Sequence, residues 1–149
     1  MAYRFNAASI DYNIVSSISI GDFPNRAPLV YPPLSALFSE KMKDKFVTKT
    51  KLSLANENGN LNIDGNIIAY ELSPMAVKED AWASETKLTI TVLVKFTNEK
   101  NHDKDFERNF SAYRNFPSTS MLTEVESELC DEIVDEIVDA VFNATVADW

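Results

Sequence analysis

Few residues in this chain have the types and spacing that chemistry needs. The one histidine, His102, stands in the run Lys100-Asn101-His102-Asp103-Lys104, with Asp105 next. A hydrolytic histidine needs a nucleophile to activate and an acid to orient it. Asp103 and Asp105 are near in sequence, but no serine stands in a nucleophile-elbow pattern. His102 therefore reads as part of a solvated loop tip. The one cysteine, Cys130, lies on an apolar helical row among acids, which raise a thiol's pKa rather than activate it. It reads as a small core residue. One His and one Cys on different elements cannot build the usual zinc sites. The glycines, Gly21, Gly59 and Gly65, are too scattered for a phosphate-cradling loop. The carboxylates near the C-terminus lack the calcium-loop spacing, and on a helix they fan out instead of converging. The expectation is a non-enzyme with no catalytic residue, no metal and no cofactor.

The elements that would position these residues follow from periodicity. Residues 14–20 alternate, with Ile14, Ser16, Ile18 and Ile20 on one side, and read as a strand. Residues 33–50 read as a helix: Leu34, Phe38, Met42 and Phe46 form an i, i+4 row. Lys41, Lys43, Lys45 and Lys49 lie opposite that row, and Pro33 suits the first turn. Leu52 and Leu54 begin a strand that Leu61 and Ile63 resume after the turn residues Asn56, Asn58, Gly59 and Asn60. It runs to about Leu72, where Pro74 stops it, and Gly65 within it implies a bulge or a close backbone approach. Residues 88–96 alternate most clearly, with Leu88, Ile90, Val92, Val94 and Phe96 on one face. A charged loop leads to another strand, Phe106 to Tyr113, paired antiparallel with it.

Residues 121–147 read as the longest helix, roughly 40 Å at about 1.5 Å per residue. Thr123 and Glu126 match a capping box. The helix's apolar stripe runs Leu122, Val125, Leu129, Ile133, Ile137, Val141 and Ala144, widened by Cys130, Val134, Val138 and Phe142. The default use of such a stripe is core, whereas a row left partly exposed would mark an interface. The order β-α-β-β-β-α with one-sided apolar faces predicts an α+β two-layer sandwich. In it both helices pack on one face of a mixed, about four-stranded sheet. Residues 1–149 are expected to form a single domain.

Charge is distributed unevenly. Residues 1–114 hold all fourteen bases and fourteen of the twenty-three acids, so the whole net charge of −9 comes from residues 115–149. Such a chain is a poor binder of phosphate backbones, and nucleic acid is not an expected partner. No run of eighteen apolar residues predicts a transmembrane helix.

Several stretches, taken in order, carry a family resemblance. The first are Tyr3-Arg4-Phe5-Asn6-Ala7-Ala8-Ser9-Ile10 and Ile18-Ser19-Ile20-Gly21-Asp22-Phe23-Pro24-Asn25. Leu34-Ser35-Ala36-Leu37-Phe38-Ser39-Glu40-Lys41 and Lys43-Asp44-Lys45-Phe46 follow. Next come Asn58-Gly59-Asn60-Leu61, Gly65-Asn66-Ile67 and Leu88-Thr89-Ile90-Thr91-Val92. The last are Glu126-Ser127-Glu128-Leu129, Glu132-Ile133-Val134 and Val146-Ala147-Asp148-Trp149. Nearly end to end, the chain resembles the lipopolysaccharide (LPS)-assembly lipoproteins, LptE, of Bacteroidetes-type bacteria. The resemblance implies two helices over a four-stranded sheet and an exported protein at the periplasmic face of the outer membrane. It implies a complex with the LptD barrel, in whose lumen the protein sits, and delivery of LPS outward. It also implies an N-terminal lipidated cysteine just before Tyr3, where Met1 and Ala2 stand, so that membrane attachment is expected through a lipid outside this chain. Given such a ligand, Lys78, Lys87, Lys100 and Lys104 are the expected LPS contacts at one loop end, with the acidic last helix turned away. Trp82, Val134, Val138 and Phe142 are the expected partner-facing residues. The competing expectation is a periplasmic lipoprotein that binds a small ligand or lipid and has no barrel partner.

Overall fold

The computed structural model describes residues 10–75 and 84–147. The elements are β1 (Ser17–Ile20), α1 (Leu34–Lys49), β2 (Ser53–Ala55), β3 (Leu61–Met75), β4 (Glu85–Asn98), β5 (Phe106–Pro117) and α2 (Leu122–Phe142). A 3-10 turn at His102–Lys104 precedes β5, and a π-helical turn at Asn143–Ala147 follows α2. The strands form one sheet in the order β2-β1-β3-β4-β5. β1 is parallel to both β2 and β3, while β3, β4 and β5 are antiparallel neighbours.

One-sided alternation decides which sheet face is covered. Leu88, Ile90, Val92, Val94 and Phe96 of β4 are all buried, as are Ile18, Ile20, Leu61, Ile63 and Ile67 on the neighbouring strands. Against them pack Leu34, Phe38, Met42 and Phe46 of α1, with Phe23 edge-on to Phe38 at 4.7 Å between ring centres. Beside α1 lies α2, joined to it by the Phe46–Phe142 ring contact at 5.1 Å. The two-layer α+β arrangement with both helices on one face is as expected.

The sheet has five strands rather than about four, because residues 53–75 do not form one interrupted strand. β2 and β3 flank β1 on opposite sides. The chain therefore crosses over β1 between Ala55 and Leu61. Asn58 turns it with a positive φ of 59°, and Gly59 lies directly on the β1 backbone. A Cβ at Gly59 would stand 2.8 Å from the Ser19 nitrogen. Asn60 and Asn62 fasten the crossing: the Asn60 amide donates to Ser17 Oγ at 2.9 Å, and Ser19 Oγ donates to the Asn62 side-chain oxygen.

β1 starts at Ser17, later than the alternation from Ile14 implies. The amides of Ile14 and Val15 turn back to the Asp11 carbonyl, and the Asn60 side chain takes the Ser16 amide. β3 runs past Pro74 to Met75, paired with β4 as far as Met75–Glu85. Beyond the Asn25–Ile67 bridge, β3 has no strand neighbour on its β1 side among the described residues, and proline is tolerated on such an edge. Gly65 is a close approach, since a Cβ there would meet the Leu93 carbonyl oxygen at 1.9 Å. The register shift falls just beyond it, between Ile67 and Ala69.

Candidate interaction surfaces

The turn between β4 and β5 is built from side chains that cap its backbone. Asn98 is buried, and its side-chain oxygen accepts from the amides of Lys100 at 2.9 Å and Asn101 at 3.0 Å. The Asn98 amide donates to Asp105 Oδ1 at 2.7 Å, and the other Asp105 oxygen meets His102 Nδ1 at 2.9 Å. Glu99 donates its amide to the Asn60 carbonyl at 2.9 Å, tying the turn to the start of β3. The Asp105 pKa is therefore lowered from its ordinary value, first through the Asn98 amide and then through His102. His102 is raised above its ordinary value, first by the bond to Asp105. Among the described residues its hydrogen-bond and charge partners are Asp105 and Glu99, and neither is a nucleophile.

Next to this turn lies a surface hollow of about 300 Å³ lined by Asp11, Ile14, Val15, Asn98, Lys100, Asn101 and Lys104. Ile14 is 54 % exposed and gives the hollow an apolar wall. Two of the four sequence-predicted lysines, Lys100 and Lys104, thus share one site. Lys87 does not join them. It sits near the start of β4, and at about 3.3 Å per residue Lys87 and Asn98 are roughly 35 Å apart. Its ammonium rests 4.4 Å from the centre of the Tyr113 ring. Contrary to the expectation of one shared loop end, the long strand β4 carries Lys87 to one end and Lys100 and Lys104 to the other. Lys78 lies outside the described residues, as does Trp82.

The acidic helix is flanked by cations on both sides. Lys41 Nζ reaches Asp131 at 3.1 Å and Asp135 at 2.8 Å, and Lys45 reaches Asp139 at 2.7 Å. On the other flank, Arg114 of β5 pairs with Glu132 at 3.2 Å and Glu136 at 2.8 Å. These are largely exposed pairs, each worth roughly 0–1 kcal/mol. Their effect is to offset the acid row that the sequence leaves unneutralised locally.

Val134, Val138 and Phe142 are buried, at 0 %, 3 % and 4 % exposure. They serve the core rather than a partner surface, because α1 lies alongside α2 and covers the second apolar row. Glu126 does not cap α2 as the Thr123–Glu126 pattern predicts. Glu124 does so instead, accepting from the Met121 amide at 3.3 Å. Glu126 accepts the hydroxyl of the buried Tyr70. Burial raises the Tyr70 pKa well above its usual value, and it pushes the neighbouring Cys130 thiol up to about 12. Periodicity gave no sign of this Tyr70–Glu126–Cys130 group, whose members are brought together only by helix-on-sheet packing.

The family model of LptE, described as lipopolysaccharide-assembly, matches residues 15–145, a span that contains all five strands and both helices. The chain belongs to the LptE family. It is accordingly a lipoprotein of LPS assembly in the cell envelope, from a family whose role is non-enzymatic. No curated protein sequence matches the chain. Among solved structures, a protein from Xanthomonas campestris is similar at TM-score 0.64 and 12 % identity, over 96 % of this chain and 87 % of that one. Uncharacterized lipoprotein B from Nitrosomonas europaea is similar at TM-score 0.58 and 12 % identity, over 95 % and 87 %. A hypothetical protein from Chlamydia trachomatis also reaches TM-score 0.58, at 11 % identity, over 88 % and 98 %. At these identities the likeness is one of fold. Among the described residues of this LptE-family chain, no helix is long and apolar enough to cross a membrane.

Proposed function

We propose that this LptE-family protein works without catalysis at the periplasmic face of the outer membrane. There it partners the LptD barrel, plugs its lumen and assists LPS delivery to the outer leaflet. The supporting observation is the family match over residues 15–145, which takes in the whole fold rather than a local motif. In this reading residues 1–149 act as one unit, held to the membrane by an N-terminal lipid, and Trp82 is an aromatic anchor toward the barrel.

The proposed LPS contact narrows to Lys100 and Lys104. An anionic amphiphile needs cations beside apolar surface, and the hollow next to the β4–β5 turn combines these two lysines with Ile14. The hydrogen-bonded turn holds its backbone in place beforehand, which lowers the entropy lost on binding.

Two measurements test this. The protein should co-purify with LptD from native envelopes, and its recovery free of any barrel would overturn the partnership. LPS binding should fall several-fold in a Lys100→Ser/Lys104→Ser variant and weaken with added salt. It should persist when Asp131, Asp135 and Asp139 become Asn. The opposite ranking would overturn the proposed contact.

A further inference from the structure

The two edges of the sheet are built differently. β2 is three residues long, which leaves little backbone open to pairing. β5 is twelve residues long and lies at the other edge. Its register with β4 runs without interruption from Phe96–Phe106 to Glu85–Pro117, with no bulge to turn the edge away. Proline enters only at its last residue. Arg114 folds back on the strand and donates to the Tyr113 carbonyl at 2.7 Å. Residues 106–112 have no such cover: among the described residues their hydrogen bonds go to β4 alone.

The helix-facing side of this open stretch is also incompletely covered. Ala112 and Phe116 are buried, but Phe106 and Phe110 are half-buried and Arg108 between them is exposed. The Arg108 guanidinium lies 4.3 Å from the Phe106 ring centre and 5.7 Å from that of Phe110. The two rings thereby restrict its geometry. Among the described residues no carboxylate pairs with it, whereas Arg114 six residues on has two.

We propose that β5 is a docking edge for an extended acidic segment of a partner protein. The segment adds as a sixth strand along residues 106–112 and places a carboxylate beside Arg108. Strand addition takes affinity from the main chain and selectivity from alternate side chains. A second copy of this chain fits poorly. Residues directly opposite across a strand pair share a face. The side bearing Arg108 holds Phe106, Phe110, Ala112, Arg114 and Phe116, so self-pairing offers Arg108 no carboxylate and in two registers sets it against an arginine, Arg108 or Arg114 of the second copy. The same arginine therefore disfavours self-association and favours an acidic strand.

A fluorescent, end-blocked decapeptide of alternating Val and Thr tests this, with Glu at two neighbouring positions of one face, against its twin with Lys there. The Glu peptide should bind the full chain at least ten-fold more tightly and slow amide exchange along residues 106–112. Arg108→Glu should reverse the preference, and Arg108→Gln, with the strand intact, should abolish it. Equal binding of the two peptides, no binding of either, or protection away from β5 would overturn the proposal. So would a dimer of the chain alone with its β5 amides protected, which would make a second copy the occupant.

Discussion

Tyr70 on β3 gives its hydroxyl hydrogen to the Glu126 carboxylate on α2, and this bond joins the sheet to the helix above it. Tyr70 is 3 % exposed, and its hydroxyl and the carboxylate satisfy one another beneath α2. A hydrogen bond to a charged carboxylate contributes more than one between neutral groups, so losing its donor is felt even though the half-buried Glu126 can turn to water. Tyr70→Phe should lower stability by roughly 1–3 kcal/mol in urea unfolding. Glu126→Gln, which keeps an acceptor, should cost less. The adjacent Cys130, buried and with its thiol pushed up to about 12, should resist alkylation until the chain unfolds. Equal losses in the two variants, or rapid labelling of Cys130 in the folded protein, would contradict this account.

Gly65 is required by space rather than by backbone angle. An added Cβ would fall 1.9 Å from the Leu93 carbonyl oxygen, a backbone atom that cannot swing aside. Gly65→Ala should therefore push β3 from β4 and destabilise by at least the roughly 1–3 kcal/mol typical of overpacking. A thermal melt checks it, and an unchanged midpoint would show that the strands can separate without cost.

Phe142 distinguishes core from interface. Its ring meets Phe46 at 5.1 Å and lies under the Lys45 ammonium at 5.4 Å. Phe142→Ala should cost about 3–5 kcal/mol of folding stability, as truncation of a buried aromatic does. A variant that kept its stability and lost only a binding partner would return Phe142 to the surface role first expected for it.

The β4–β5 turn carries the chain's one histidine, so its titration can be followed as a single NMR signal. His102 should titrate above the ordinary value of about 6.5, and Asp105→Asn should bring it back down. The sign of the stability effect follows from linkage. The raised His102 stabilises fully below its unfolded pKa, and that contribution disappears as pH rises through the folded value. The lowered Asp105 acts in the opposite direction: its contribution is present above the ordinary carboxylate range and is lost as pH falls through its folded value. A His102 that titrated at its free value would mean the turn is not held by Asp105 in solution.

The parts of this fold legible in the sequence are those that one element decides alone. The Leu34–Phe38–Met42–Phe46 row and the Leu88-to-Phe96 alternation announce which face of α1 and of β4 is buried, because a side chain's direction repeats with the element's own period. The double row on α2 was visible in the same way, as were the lysines of α1 and the acids opposite them. The tertiary structure decided everything that depends on pairing between distant segments. It set β2 and β3 on opposite sides of β1, with Gly59 on the crossing, and it matched Glu126 to Tyr70 instead of to a cap. It placed α1 against α2, so that Val134, Val138 and Phe142 became core and Lys41 met Asp131 and Asp135. It also sent Lys87 to one end of a long strand and Lys100 to the other. Periodicity records how an element faces its surroundings, and carries no record of which remote segment those surroundings will be.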